Sequence, residues 1–159
     1  MALVKGTNSY ATVAEANSYF ADRLDVAAWT SADDTQKGQA LVTATSYLDE
    51  LDWTGIAVSD SQLLAFPRAG TYFDPRMGTE VFFDEAEVPV RITVATYELA
   101  YHLLNNDGLL DDTGSVESLN IGSLTLSKIK SPNKIPTHVR KNLRPLLLNK
   151  GSSNWWRAG

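Results

Sequence analysis

Residues 89–105 place Ile92, Val94, Ala95, Leu99, Ala100 and Leu103 around nearly the whole circumference of one helix. A helix that is apolar on every side has no face to give to water, so it must be central, with the other elements packed around it. Pro89 suits its first turn, where the missing N–H removes a donor that has no intrahelical partner anyway. Asn105, Asn106, Asp107 and Gly108 terminate it, and an acidic loop continues to about Ser118. A chain of 159 residues is long enough for one domain with one real core.

The segments on either side supply partners for that helix. Thr12 and Glu15 form a T-x-x-E capping box, in which each side chain satisfies the other's free backbone N–H. Val13, Ala16, Phe20 and Leu24 follow at steps of three and four, which predicts a helix over 12–25 with these four on its inner face. Trp29 falls in the connection and packs back on the core. Ser31 opens a second helix, with Asp33 and Asp34 in its first turn, where the helix dipole favours them. It runs to about Asp52 on a stripe of Leu41, Ala44, Tyr47, Leu48 and Leu51, and Gly55 is placed to turn left-handed after it. Ser59 and Gln62 make another possible capping box, which opens a short turn ended by Pro67.

Residues 67–88 mix Pro67, Gly70, Pro75 and Gly78 with Tyr72, Phe73, Phe82 and Phe83 and read as a long ordered loop. Such loops usually serve a function or a contact, so these aromatics either pin the loop to its own core or meet a neighbour. Leu119 and Ile121, then Leu124 and Leu126, alternate with polar residues about Gly122-Ser123, the pattern of a small β-hairpin. A last helix over 135–148 turns Val139, Leu143, Leu146 and Leu147 inward and Arg140, Lys141 and Arg144 outward, with Pro145 kinking or shortening it. The fold class is therefore mainly α: a small bundle of about four helices with one β-hairpin, a long ordered loop and an extended C-terminal arm. The helical domain spans 1–148 and the arm 149–159.

Several function classes lack their signatures. Without cysteine there is no disulfide framework, thiol nucleophile or cysteine zinc site. No signal-peptide run and no membrane-length apolar stretch occurs. Phosphate-cradling loops, dinucleotide fingerprints, G-x-S-x-G elbows and H-E-x-x-H are also missing. Glu98 and His102 share a helix face, but two ligands do not make a metal site, and a hydrogen-bonded structural histidine is the expectation. His138 reads as solvated, and Asp84-Glu85 and Asp111-Asp112 as acidic surface. The expectation is a protein that is not an enzyme, with no catalytic residues, cofactor or metal.

Charge divides the chain. Residues 1–118 hold six basic against nineteen acidic side chains, a net of −13, whereas 119–159 hold eight basic and no acidic ones. Opposite charges of this kind either attract within one fold or serve two surfaces with different neighbours. Gly151-Ser152-Ser153-Asn154 has linker composition, yet Trp155-Trp156-Arg157 follows it directly. Two indoles on a loose tail need a cover, and Trp and Arg are the types most enriched at interface hot spots. Three covers are open: a partner, the chain's own domain, or the bases of a single nucleic-acid strand. The eleven residues of 149–159 reach about 35 Å when extended. Asn154, Trp155, Trp156 and Arg157 form the candidate anchor, and Arg140, Lys141, Arg144 and Lys150 a basic docking face.

The order of motifs resembles the head–tail connector, or adaptor, proteins of tailed bacteriophages. It starts with S-Y-A-T-V-A-E-A-N-S-Y-F at 9–20, A-L-V-T-A-T-S-Y-L-D at 40–49, Trp53-Thr54-Gly55 and Ala65-Phe66-Pro67-Arg68. It continues with Val88-Pro89 opening the apolar helix, Ile121-Gly122 in the hairpin and Ile135-Pro136 opening the last helix. The resemblance implies a structural virion protein at the neck, assembled in the host cytoplasm, with about a dozen copies closing a ring. The implied partners are the portal protein, bound by the C-terminal arm, a tail or nozzle protein on the far side, and other copies of the chain. DNA passes through the lumen without specific binding, and no membrane is involved. Sequences of this kind also carry a DnaT-like, single-stranded-DNA-binding label, which makes nucleic-acid binding by the basic C-terminal third the competing reading.

Overall fold

The computed structural model of the chain describes residues 2–106, 118–121, 124–127 and 135–148. A central helix, α4 (Val90–Asn105), organises them: Ile92, Ala95, Leu99 and Ala100 are fully buried, while Val90, at its first turn, is exposed. Pro89 is the residue before the helix rather than its first member. Its neighbours are α3 (Asp34–Asp49), α2 (Ala27–Ser31) and α5 (Thr137–Leu143), and α1 (Val13–Ala21) rests on α3. The fold is mainly α, as expected, with five α-helices among the described residues rather than about four.

The caps set the helix starts. Thr12 and Glu15 make the full capping box of α1, and Asp33 and Gln36 make one for α3 at 2.8 and 3.0 Å. The second of these boxes moves the start of α3 past Ser31, which instead ends α2. α1 stops at Ala21, and Leu24, expected inside, is 95% exposed. Trp29 takes the inner position. α2 carries its indole back against Phe20, with centroids 4.8 Å apart, and its Nε1 donates to Asn17 Oδ1 at 2.9 Å.

The long loop is half sheet. β1 (Ile56–Ala57) pairs with β2 (Arg68–Ala69), and β3 (Thr71–Asp74) forms an antiparallel hairpin with β4 (Thr79–Phe82). Gly55 does turn left-handed, at φ 77°, but for a close approach rather than a helix cap: a Cβ there would meet the Ala69 carbonyl oxygen at 2.3 Å. The box at Ser59 and Gln62 is half made, since Gln62 Oε1 accepts from Ser59 N while Ser59 Oγ accepts from Ser61 N. The expected later hairpin is present as β5 (Ser118–Ile121) and β6 (Leu124–Ser127), with Leu119 opposite Leu126 and Ile121 opposite Leu124.

Pro145 shortens the last helix as its missing N–H requires. α5 ends at Leu143 and a 3-10 turn (Arg144–Leu146) follows. The chain then runs beside 52–54: Thr54 N donates to Leu146 O, and Leu148 N to Asp52 O, both at 2.9 Å. Val139, Leu143 and Leu146 are buried, and Leu147 is half-buried. Among the described residues no helix is long and apolar enough to cross a membrane.

Candidate partner-binding surfaces

The hairpin β3–β4 has two unlike faces, because successive side chains of a strand point to opposite sides. On the inner face Tyr72 stands opposite Val81, and Asp74 opposite Thr79. Tyr72 stacks on Phe83 at 4.8 Å, Phe83 meets Phe66 at 6.0 Å, and Phe66 meets Trp53 at 5.0 Å, so a chain of rings ties the hairpin to the core. On the outer face Phe73 stands opposite Glu80, and Phe82 opposite Thr71. These two phenylalanines are 54% and 83% exposed, and Met77 in the turn is also exposed. The aromatics of 67–88 therefore do both things left open by the sequence: Tyr72 and Phe83 pin the segment, and Phe73 and Phe82 face outward.

Asp74 organises the turn and links it to two helices. Its carboxylate accepts from the Arg76 backbone N at 2.9 Å and from Arg76 Nη2 at 2.7 Å, and its carbonyl accepts from Gly78 N at 2.8 Å. Those hydrogen bonds from the Arg76 side chain and backbone hold the Asp74 carboxyl at about 2, well below the usual carboxylate range. Arg91 of α4 lies 3.8 Å from the same carboxylate. Arg91 Nη1 also donates to Asn142 O at 3.2 Å, and Asn142 Nδ2 donates to Arg91 O at 3.1 Å. Hairpin, α4 and α5 thus share one polar network. Between hairpin and α4 lies an open cleft of about 480 Å³, lined in part by Tyr72, Phe82, Asp84, Glu87, Val90 and Arg91.

The second surface is on α5 and the turn after it. Arg140, Lys141 and Arg144 are exposed, as expected, and share one side at helical spacing. None of the three makes an ion pair among the described residues. Residues 2–106 behave differently, since each of their six cations has an internal partner. Lys5 pairs with Glu15, Arg23 with Glu98, and both Arg76 and Arg91 with Asp74. Lys37 is held near Asp34 and over the Trp29 ring. Arg68 donates to the carbonyls of Thr54, Ala65 and Gly55 at 2.8, 3.1 and 2.6 Å. Lys150 and the anchor Asn154, Trp155, Trp156 and Arg157 lie outside the described residues, as does the Asp111-Asp112 pair.

The histidines sit in ordinary polar surroundings. His102 is next to Asn106, whose Nδ2 donates to the His102 carbonyl at 2.9 Å. His138 is 61% exposed and has a neighbour the sequence did not suggest: its Nε2 lies 3.8 Å from Glu98 Oε2. Glu98 also accepts from the Tyr19 hydroxyl, and burial, followed by this bond to a carboxylate, pushes the Tyr19 phenol up. Among the described residues no cluster of His, Asp and Glu could hold a metal ion.

What sequence reasoning missed is the outward pair, Phe73 and Phe82. Its signal was present: adjacent aromatics at 72–73 and 82–83 flank Asp74-Pro75 and Gly78, which are turn residues. Two neighbouring residues of a strand cannot both face the core, so each pair had to send one ring outward.

These features define a small, mainly α domain that carries an aromatic hairpin on one side and unpaired cations on its last helix. The chain belongs to a family described as "Putative DnaT-like ssDNA binding protein", whose model matches residues 2–158. No curated protein and no solved structure matches it.

Proposed function

We propose that the protein is a structural connector of a phage neck, a ring-forming subunit that joins portal to tail around a DNA channel and performs no catalysis. The carrying observation is the commitment of all six cations of residues 2–106 to internal partners, while Asp22, Asp25, Glu50, Asp60 and other carboxylates remain exposed. A groove that holds single strands needs free cations along the backbone path with aromatics for the bases. Residues 2–106 offer no cation without an internal partner, and an acidic wall suits a channel through which DNA must slide. The motif order that resembles connectors supports the same reading.

In this reading the arm, through Asn154, Trp155, Trp156 and Arg157, anchors the subunit on the portal. Arg140, Lys141, Arg144 and Lys150 dock on an acidic protein neighbour, and the tail side receives a tail or nozzle protein. Deleting 152–159 is expected to leave a folded domain that has lost most of its affinity for purified portal; unchanged portal binding refutes the anchor.

A second reading is favoured by the family description and by the three cations of α5 and the turn after it that are unpaired among the described residues. In it the basic C-terminal third binds single-stranded DNA. Fluorescence anisotropy with a labelled oligonucleotide across a salt series separates the two. Phosphate binding weakens steeply with salt, so binding at low salt that collapses as salt rises supports the second reading. No binding at low salt supports the connector.

A further inference from the structure

We infer that the outer face of the β3–β4 hairpin and the cationic face of α5 are the two halves of one head-to-tail contact, each fitting the other on a second copy of this chain. The inference rests on the ring reading and deepens it by naming the surfaces through which copies meet.

Three observations carry it. The outer face of the hairpin presents Phe73 and Phe82 at diagonal positions, a spacing across which aromatic side chains can touch. Large exposed apolar groups within a polar rim mark a protein contact. Here the rim is acidic: Glu80 is on the same face, and Asp84, Glu85 and Glu87 follow the strand, all exposed and unpaired with any cation among the described residues. Arg140, Lys141 and Arg144 form the complementary set, because a guanidinium can stack on an aromatic ring and pair with a carboxylate at the same time.

The chain cannot bring these two surfaces together by itself. Asn142 is the α5 residue bonded to Arg91 of α4, and it lines the hairpin cleft. Arg140 and Arg144 are each two positions from Asn142, about 200° around the helix. Arg140 and Arg144 therefore point away from the hairpin of their own subunit, with Lys141 about 100° from Asn142 between them and the cleft side, and only another copy supplies the acidic aromatic face to the two arginines. Two different faces that meet make a heterologous contact, which repeats from copy to copy and closes when the rotation allows. The Asp74–Arg91–Asn142 network joins both faces through α4, so their relative direction is built into the fold.

Two variants of the full chain test it in sedimentation velocity at low salt. One is Phe73→Ser with Phe82→Ser; the other is Arg140→Glu with Lys141→Glu and Arg144→Glu. All five side chains are exposed, and far-ultraviolet circular dichroism checks that both variants fold. The wild type is expected to associate with rising concentration up to about 1 mM, in the range of a small contact, and less so in high salt. Each variant alone is expected to lose this association by on the order of a hundredfold. Mixed in equal amounts, they are expected to form a heterodimer and nothing larger, because each pair keeps one intact contact.

A wild type that stays monomeric, a variant that still associates alone, or a mixture that stays monomeric overturns the inference. Portal binding by the wild type is measured separately. Association through these faces without portal binding leaves the inference standing and removes the connector reading; portal binding without such association does the reverse.

Discussion

Phe82 and Phe83 are adjacent, yet one is 83% exposed and the other 6%. Arg68 gives its guanidinium to three backbone carbonyls, whereas Arg140 of α5 gives its to none among the described residues. The same two residue types thus do opposite work in two regions. Along 53–83 aromatic rings and one arginine hold an irregular segment to the core. On the outer hairpin and on α5 the same types remain without a partner. Residue type alone does not separate structural from interacting side chains; the direction imposed by the pleat and by the helix does.

The largest expected effect is on the two phenylalanines. Phe83→Ala should lower stability by about 3 to 4 kcal/mol, because it removes a buried ring in contact with Phe66 and Tyr72. Phe82→Ala should change it by no more than about 0.5 kcal/mol. Urea unfolding followed by tryptophan fluorescence measures both. Similar losses for the two would mean that the outer face is covered by the chain itself, and the comparison would collapse.

The arginines sharpen the same contrast at smaller scale. Arg68→Ala should cost about 2 kcal/mol, since charge-assisted bonds to the Thr54, Gly55 and Ala65 carbonyls are lost and β1–β2 loosens. Arg140→Ala should be neutral to within about 0.5 kcal/mol in the same unfolding measurement. A destabilising Arg140→Ala would show that α5 uses its cations for its own fold.

Much of this arrangement was legible in the sequence and some was not, for physical reasons. The central helix was, because apolar residues on all sides leave it only one environment, and so was the capping box at Thr12, where the cap chemistry is local; the box at Asp33 was not, because Ser31 offered a cap residue of the same kind two positions earlier. The first helix read too long because Leu24 continues its period. The competition from Trp29 for that inner position is a tertiary fact that periodicity does not contain. The β3–β4 hairpin was hidden because four-residue strands with one buried and one exposed face show too little alternation, and Pro75 and Gly78 made the whole segment read as loop. On α5 and the turn after it, helical spacing alone was enough to turn Arg140, Lys141 and Arg144 outward. Phe73 and Phe82 needed the strand register before their direction could be assigned.

The smallest expected effect probes the joint between the two regions. Asp74 is buried, and the bonds from Arg76 hold its folded-state carboxyl at about 2. A carboxyl whose folded value lies below its unfolded one stabilises the fold above the ordinary carboxylate range and stops doing so as pH falls through the folded value. The contribution of Asp74 should therefore be intact at neutral pH and decline between about pH 4 and pH 2. Asp74→Asn should remove that decline. Amide hydrogen exchange along 71–82 should then show wild type and variant differing at pH 6 and converging toward pH 2. The effect should stay local, because Arg76 is mostly exposed and solvent screens part of its attraction. Convergence confined to the hairpin would mean that Asp74 sets the turn alone. Convergence that also reaches the amides of α5 would mean that the Arg91–Asn142 link transmits it, and that the aromatic and cationic faces are held in fixed relation by this one carboxylate.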